Sequence, residues 1–153
     1  MERNLMSKFQ MQMCHVRFFD YDAPEGVVAE GLEHELEGEY AYQYTDGIWH
    51  AVIALRYAAK SKPDEMGRCF SVRTCMESIF TYQGEQTEEE EKRFVKMLKM
   101  NGALSLMAVM RGQVATTTTA LGMSPNLIMP SVNLNYMKWT DSSSKIQNAE
   151  KNE

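Results

Sequence analysis

Apolar and polar residues alternate through the first half of the chain and recur at helical spacing through much of the second. Residues 9 to 19, FQMQMCHVRFF, begin with Phe9, Met11 and Met13 set against Gln10 and Gln12, then shift phase at Val16 and Phe18. That pattern predicts a strand with a bulge or a change of face. DYDAPEG, residues 20 to 26, carries Pro and Gly and predicts a turn with Asp20, Asp22 and Glu25 on an exposed loop. Residues 35 to 44, ELEGEYAYQY, place Leu36, Gly38, Tyr40, Tyr42 and Tyr44 on one face and Glu35, Glu37, Glu39 and Gln43 on the other. The Asp-Gly pair in TDG, residues 45 to 47, predicts a hairpin into residues 48 to 59, with Trp49, Ala51, Ile53, Leu55 and Tyr57 facing the core. After a polar loop, residues 68 to 82 alternate again through Phe70, Val72, Met76, Phe80 and Tyr82. The expected sheet is a meander of four antiparallel strands. One apolar face cannot stand in water, so helices or a second subunit must cover it.

Residues 86 to 102 read as a helix, because Thr87 and Glu90 have capping-box spacing and Asn101 and Gly102 supply a stop. From Ala103 the apolar positions 103, 107, 110, 114 and 121 predict a second helix that ends at Gly122. The TTTT tract at 116 to 119 is poor helix material, so tertiary packing must hold it. Pro125 and Pro130 force extended backbone around Leu127, Ile128 and Met129. A short helix is expected after Ser131, with Val132, Leu134, Tyr136, Met137 and Trp139 as its apolar side. The polar tail, residues 140 to 153, is expected to be disordered. The whole reads as one α+β domain over residues 1 to 139.

Composition narrows the function. The chain has 153 residues, 44% hydrophobic and 24% charged, which suits a globular domain with a real core. Its net charge of −5 argues against nucleic acid and fits a basic protein partner or simple solubility. Three cysteines without a Cys-x-x-Cys pair suggest reduced thiols. The absence of a signal-peptide pattern and of long apolar runs predicts a soluble, cytoplasmic protein without membrane insertion. Thirteen methionines hint at an adaptable apolar surface. Chemistry is sparse: His15, His34 and His50 are scattered, and Cys14 and His15 fall on opposite faces of one strand. No catalytic, metal or cofactor site is expected.

The order and spacing of FQMQ, DYDAP, GRCFSVRTCMESIF and NGALSLMAVMRGQVATTTTALGMSPNLIMPSVNL resemble SecB, the bacterial chaperone of protein export, over about residues 8 to 138. In the last passage Asn101, Arg111, Gly122, Pro125, Pro130 and Asn133 are similar to the family's pattern. The resemblance implies a four-stranded antiparallel sheet with a long helix and a short C-terminal helix on one side, assembled as a homotetramer, a dimer of dimers. It further implies an ATP-independent holdase, not an enzyme, that binds unfolded polypeptides in apolar surface grooves. The implied client groove comprises Leu36, Tyr40, Tyr42, Leu127, Met129, Leu134 and Met137. Asp20, Asp22 and Glu25 correspond to acidic surface through which export members dock on the SecA motor. The sequence departs from the export pattern at two positions. Phe18 stands where those members carry an acid, and Arg73 where they often carry glutamate. Preprotein export is therefore set beside service to other clients, such as an antitoxin, and beside a binding module whose apolar segment is a permanent oligomer interface.

Overall fold

In the computed structural model, which describes residues 8–123 and 127–143, the alternating runs form four long strands. These are β1 (Phe9–Asp22), β2 (Glu33–Thr45), β3 (Ile48–Lys60) and β4 (Ser71–Gln83). A fifth, β5 (Lys138–Asp141), extends the sheet to the order β1-β4-β3-β2-β5. The β2-β3-β4 meander is as expected, but β1 pairs with β4 instead of β2. This is Greek-key connectivity, and the long stretch between β1 and β2, residues 23 to 32, is what a tight hairpin could not supply. The phase shift in β1 resolves into two irregularities, between Met11 and Met13 and between Val16 and Phe18. At the β2–β3 turn Asp46 and Gly47 both take positive φ, 53° and 80°, as a two-residue hairpin with the twist of its strands requires.

One sheet face is core. Trp49, Ala51, Ile53, Leu55 and Tyr57 of β3 are all buried, as are Val72, Met76, Phe80 and Tyr82 of β4. Helices cover this face: α1 (Glu88–Met97) and α2 (Ala103–Ala120) are joined by a π-helical turn, Leu98–Gly102. The cap at Thr87 forms as the spacing predicts, its hydroxyl accepting from the Glu90 N–H at 3.2 Å. Asn101 and Gly102, however, do not stop the helix. A Cβ on Gly102 would stand 2.8 Å from Ile53 Cδ1, so the glycine serves close approach of helix to sheet rather than termination. Gly122 does end α2, at φ 89°, with N–H bonds from Gly122 to the Thr119 carbonyl and from Met123 to the Thr118 carbonyl. That pair of bonds is the Schellman arrangement.

The segment after α2 differs most from expectation. The short C-terminal helix is a single 3-10 turn, Leu134–Tyr136, followed at once by β5. Tyr136 is 85% exposed, so no continuous apolar stripe exists to hold a helix down. β5 runs parallel to β2, with Trp139 opposite Gly38. A Cβ on Gly38 would lie 2.6 Å from the Trp139 ring, so the glycine makes room for the indole. Beyond Trp139, β5 continues to Asp141, the Ser142 N–H donates to the Tyr40 carbonyl at 2.8 Å and its hydroxyl donates to Glu39. Pro125, residues 1 to 7 and residues 144 to 153 lie outside the described residues.

Candidate functional site

α1 is fixed to the sheet by aromatic side chains and leaves a cleft along its flank. Phe94 is fully buried and meets the rings of Phe9, Tyr42, Trp49 and Tyr82. The Tyr42 hydroxyl donates to Glu91 at 2.7 Å, and the Tyr82 hydroxyl donates to Glu90 at 2.9 Å. Burial first, then the bonded Glu91 carboxylate, pushes the Tyr42 phenol well above its ordinary range, so it stays a neutral donor. Beside this anchor lies a cleft of ≈ 800 Å³, with Tyr42, Val95, Met100, Leu134, Met137 and Trp139 as its apolar lining. The π-helical turn contributes Lys99 and Met100 to it, and π-helical turns recur at functional positions. The Lys99 ammonium lies 5.2 Å from the centre of the Tyr40 ring.

A second cleft, of ≈ 330 Å³, lies along the other side of the 3-10 turn and is lined by Leu36, Tyr57, Val132, Tyr136 and Met137 among others. Burial pushes the Tyr57 phenol up to about 12, and its hydroxyl is hydrogen-bonded to His34 Nδ1 at 2.7 Å. Met137 lines both clefts, so they adjoin across one side chain.

The implied groove residues divide into three groups. Tyr42, Leu134 and Met137 line the larger cleft, and Leu36 lines the smaller with Met137. Tyr40 is 6% exposed and packs on Trp139 and Tyr42 beneath them. Leu127 and Met129 line neither cleft: at 4% and 0% exposed they belong to the core, and Ile128 between them turns outward at 71%. The cause is in the backbone. The Leu127 N–H donates to the buried Thr118 hydroxyl, and the Met129 carbonyl accepts from Arg111 Nε at 3.1 Å. A strand-like segment held at those points puts alternate side chains inward. Val95, Lys96, Lys99 and Met100 carry no local sequence signal for a site, because an acid-and-lysine run reads as a solvated helix face.

The acids assigned to motor docking are all exposed, but Asp20 and Asp22 lie within β1 rather than in a loop. Asp20 is ion-paired with Arg73 at 2.7 Å across the β1–β4 ladder, and Phe18, 41% exposed, precedes it on the same strand. Elsewhere, burial raises the Cys14 thiol and so opposes the thiolate that nucleophilic chemistry would need. His15 points to the opposite face of β1, 3.7 Å from Glu77. Among the described residues no group of three or more His, Cys, Asp or Glu side chains could hold a metal, and no helix is long and apolar enough to cross a membrane.

No protein-family model and no curated protein sequence matches the chain. Among solved structures it is similar to a SecB-like chaperone of Mycobacterium tuberculosis, in complex with a peptide from an antitoxin. The two superpose with a TM-score of 0.56 at 16% identity, over 82% of this chain and 91% of the other. The fold is therefore SecB-like, and at that identity the likeness speaks for the fold alone.

Proposed function

We propose that this protein is an ATP-independent chaperone that holds extended apolar stretches of unfolded polypeptide in the cleft between α1 and the β2–β5 edge. The observation that carries the reading is the cleft itself, an apolar trough of ≈ 800 Å³ beside α1 with Met100 exposed at its rim and Leu134 and Met137 as its floor. Open apolar surface of that kind marks a binding site for apolar partners. A SecB-like fold and a structural neighbour solved with a peptide support it. Methionine and aromatic walls suit loose specificity, since both adapt to varied apolar partners. In this reading the protein acts in the cytoplasm as a homotetramer, with exposed Met13 and Phe18 of β1 and Leu104 and Val109 of α2 as apolar surface available to partner subunits. The test is light scattering of a reduced, alkylated protein that aggregates on dilution. Suppression at stoichiometric chaperone without nucleotide supports the proposal; undiminished aggregation refutes it.

The Asp20–Arg73 pair favours clients other than exported preproteins, an antitoxin being one such class. A carboxylate already paired with arginine gives a basic docking face little to attract. If SecA binds the wild-type protein as tightly as it binds an Arg73→Glu variant, this charge reading is wrong.

A further inference from the structure

The larger cleft is a local exception to the acidity of the chain. Of the two acids on its rim, Glu88 is paired with the Lys92 ammonium at 2.7 Å, while Glu91 accepts from the neutral Tyr42 hydroxyl and keeps its negative charge. Lys96 and Lys99, three residues apart on one helical face, line the same cleft and have no carboxylate partner among the described residues. Lys99 is moreover steered by the Tyr40 ring rather than left to wander. The cleft thus combines an apolar trough with two ammonium groups outside any ion pair among the described residues, Lys96 in the last turn of α1 and Lys99 in the π-helical turn, and its three lysines outnumber its two glutamates. We infer that it selects apolar client segments flanked by one or two carboxylates, which lie against Lys96 and Lys99 while the apolar residues fill the trough. This rests on the chaperone reading and adds to it the chemical class of segment preferred. The same lysines repel a segment flanked by basic residues, so discrimination has an attractive and a repulsive part.

Three end-blocked, dye-labelled decapeptides test it, each with the same Leu- and Phe-rich stretch followed by two aspartates, two asparagines or two lysines. Fluorescence anisotropy with the full chain at low salt should rank them aspartate, asparagine, lysine. The aspartate peptide should bind about threefold to tenfold tighter than the asparagine peptide, as two solvent-accessible ion pairs allow. That advantage should fade in about 0.5 M salt. In a Lys96→Gln/Lys99→Gln variant the aspartate and asparagine peptides should bind alike. Equal binding of all three peptides, or preference for lysine, overturns the selectivity and leaves the chaperone reading standing. An aspartate preference that survives in the variant overturns the assignment to these lysines. Failure of every peptide to bind removes both readings.

Discussion

Met129 of the link and Met100 of the π-helical turn are the same residue type next to the same helical layer, yet one is sealed and the other open. Met129 is 0% exposed, held inward by the bond its carbonyl accepts from the Arg111 side chain and by the neighbouring bond from the Leu127 N–H to the Thr118 hydroxyl. Met100 is 38% exposed and borders the cleft. The difference teaches that oiliness in the sequence does not mark the binding surface. What marks it is whether the local backbone is pinned so that apolar side chains must face the sheet. The link is pinned, and the flank of α1 is spaced from the β2–β5 edge by the Phe94 and Tyr42 anchors.

The comparison breaks first at Met129. Met129→Ala should lower unfolding free energy by about 2–5 kcal/mol, read from the urea midpoint, as a buried truncation with a cavity does. A neutral result would mean that the link is not part of the core. Thr118→Val should cost about 1–3 kcal/mol, because the Leu127 N–H is left buried without an acceptor; thermal denaturation measures it. On the open side the signs of the two readouts exchange. A Val95→Gln/Met100→Gln variant should change stability by about 1 kcal/mol or less while weakening binding of an apolar peptide about tenfold, by titration calorimetry. Smallest of all, Ile128→Ser should move stability by no more than about 0.5 kcal/mol, since its side chain faces water. A large loss there would place something over Ile128 and erase the contrast within the link.

Alternation was enough to find β1 to β4, the inner faces of β2, β3 and β4 and the hairpin at Asp46 and Gly47, because period-2 patterning and turn chemistry are local; on β1 the irregularities leave Met11, Met13, Val16 and Phe18 exposed and turn Phe9, Cys14, Phe19 and Tyr21 to the core. The pairing of β1 with β4 was not available from those signals, since strand order depends on which edge a long connection reaches. Gly102 shows how one residue supports two local readings: a helix stop by type, a close-packing point by position. Gly38 carried a usable signal, a glycine inside an aromatic strand, but its partner Trp139 sits a hundred residues away in a segment whose spacing mimicked a helix. The cleft followed the same rule. Tyr42, Leu134, Met137 and Leu36 came through the family resemblance, whereas Val95, Met100, Lys96 and Lys99 depend on how α1 is rotated over the sheet. That rotation is set by Phe94 and the two tyrosine hydroxyls, which only the fold brings together.

The central claim is that unfolded polypeptide lies along α1 and β5 and not along the link. Amide hydrogen exchange of the full chain, with and without a saturating reduced and alkylated client, addresses it directly. The account predicts added protection in residues 95 to 101 and 134 to 141, with residues 127 to 131 unchanged. Protection confined to the link, or to the outer face of β1, would contradict it.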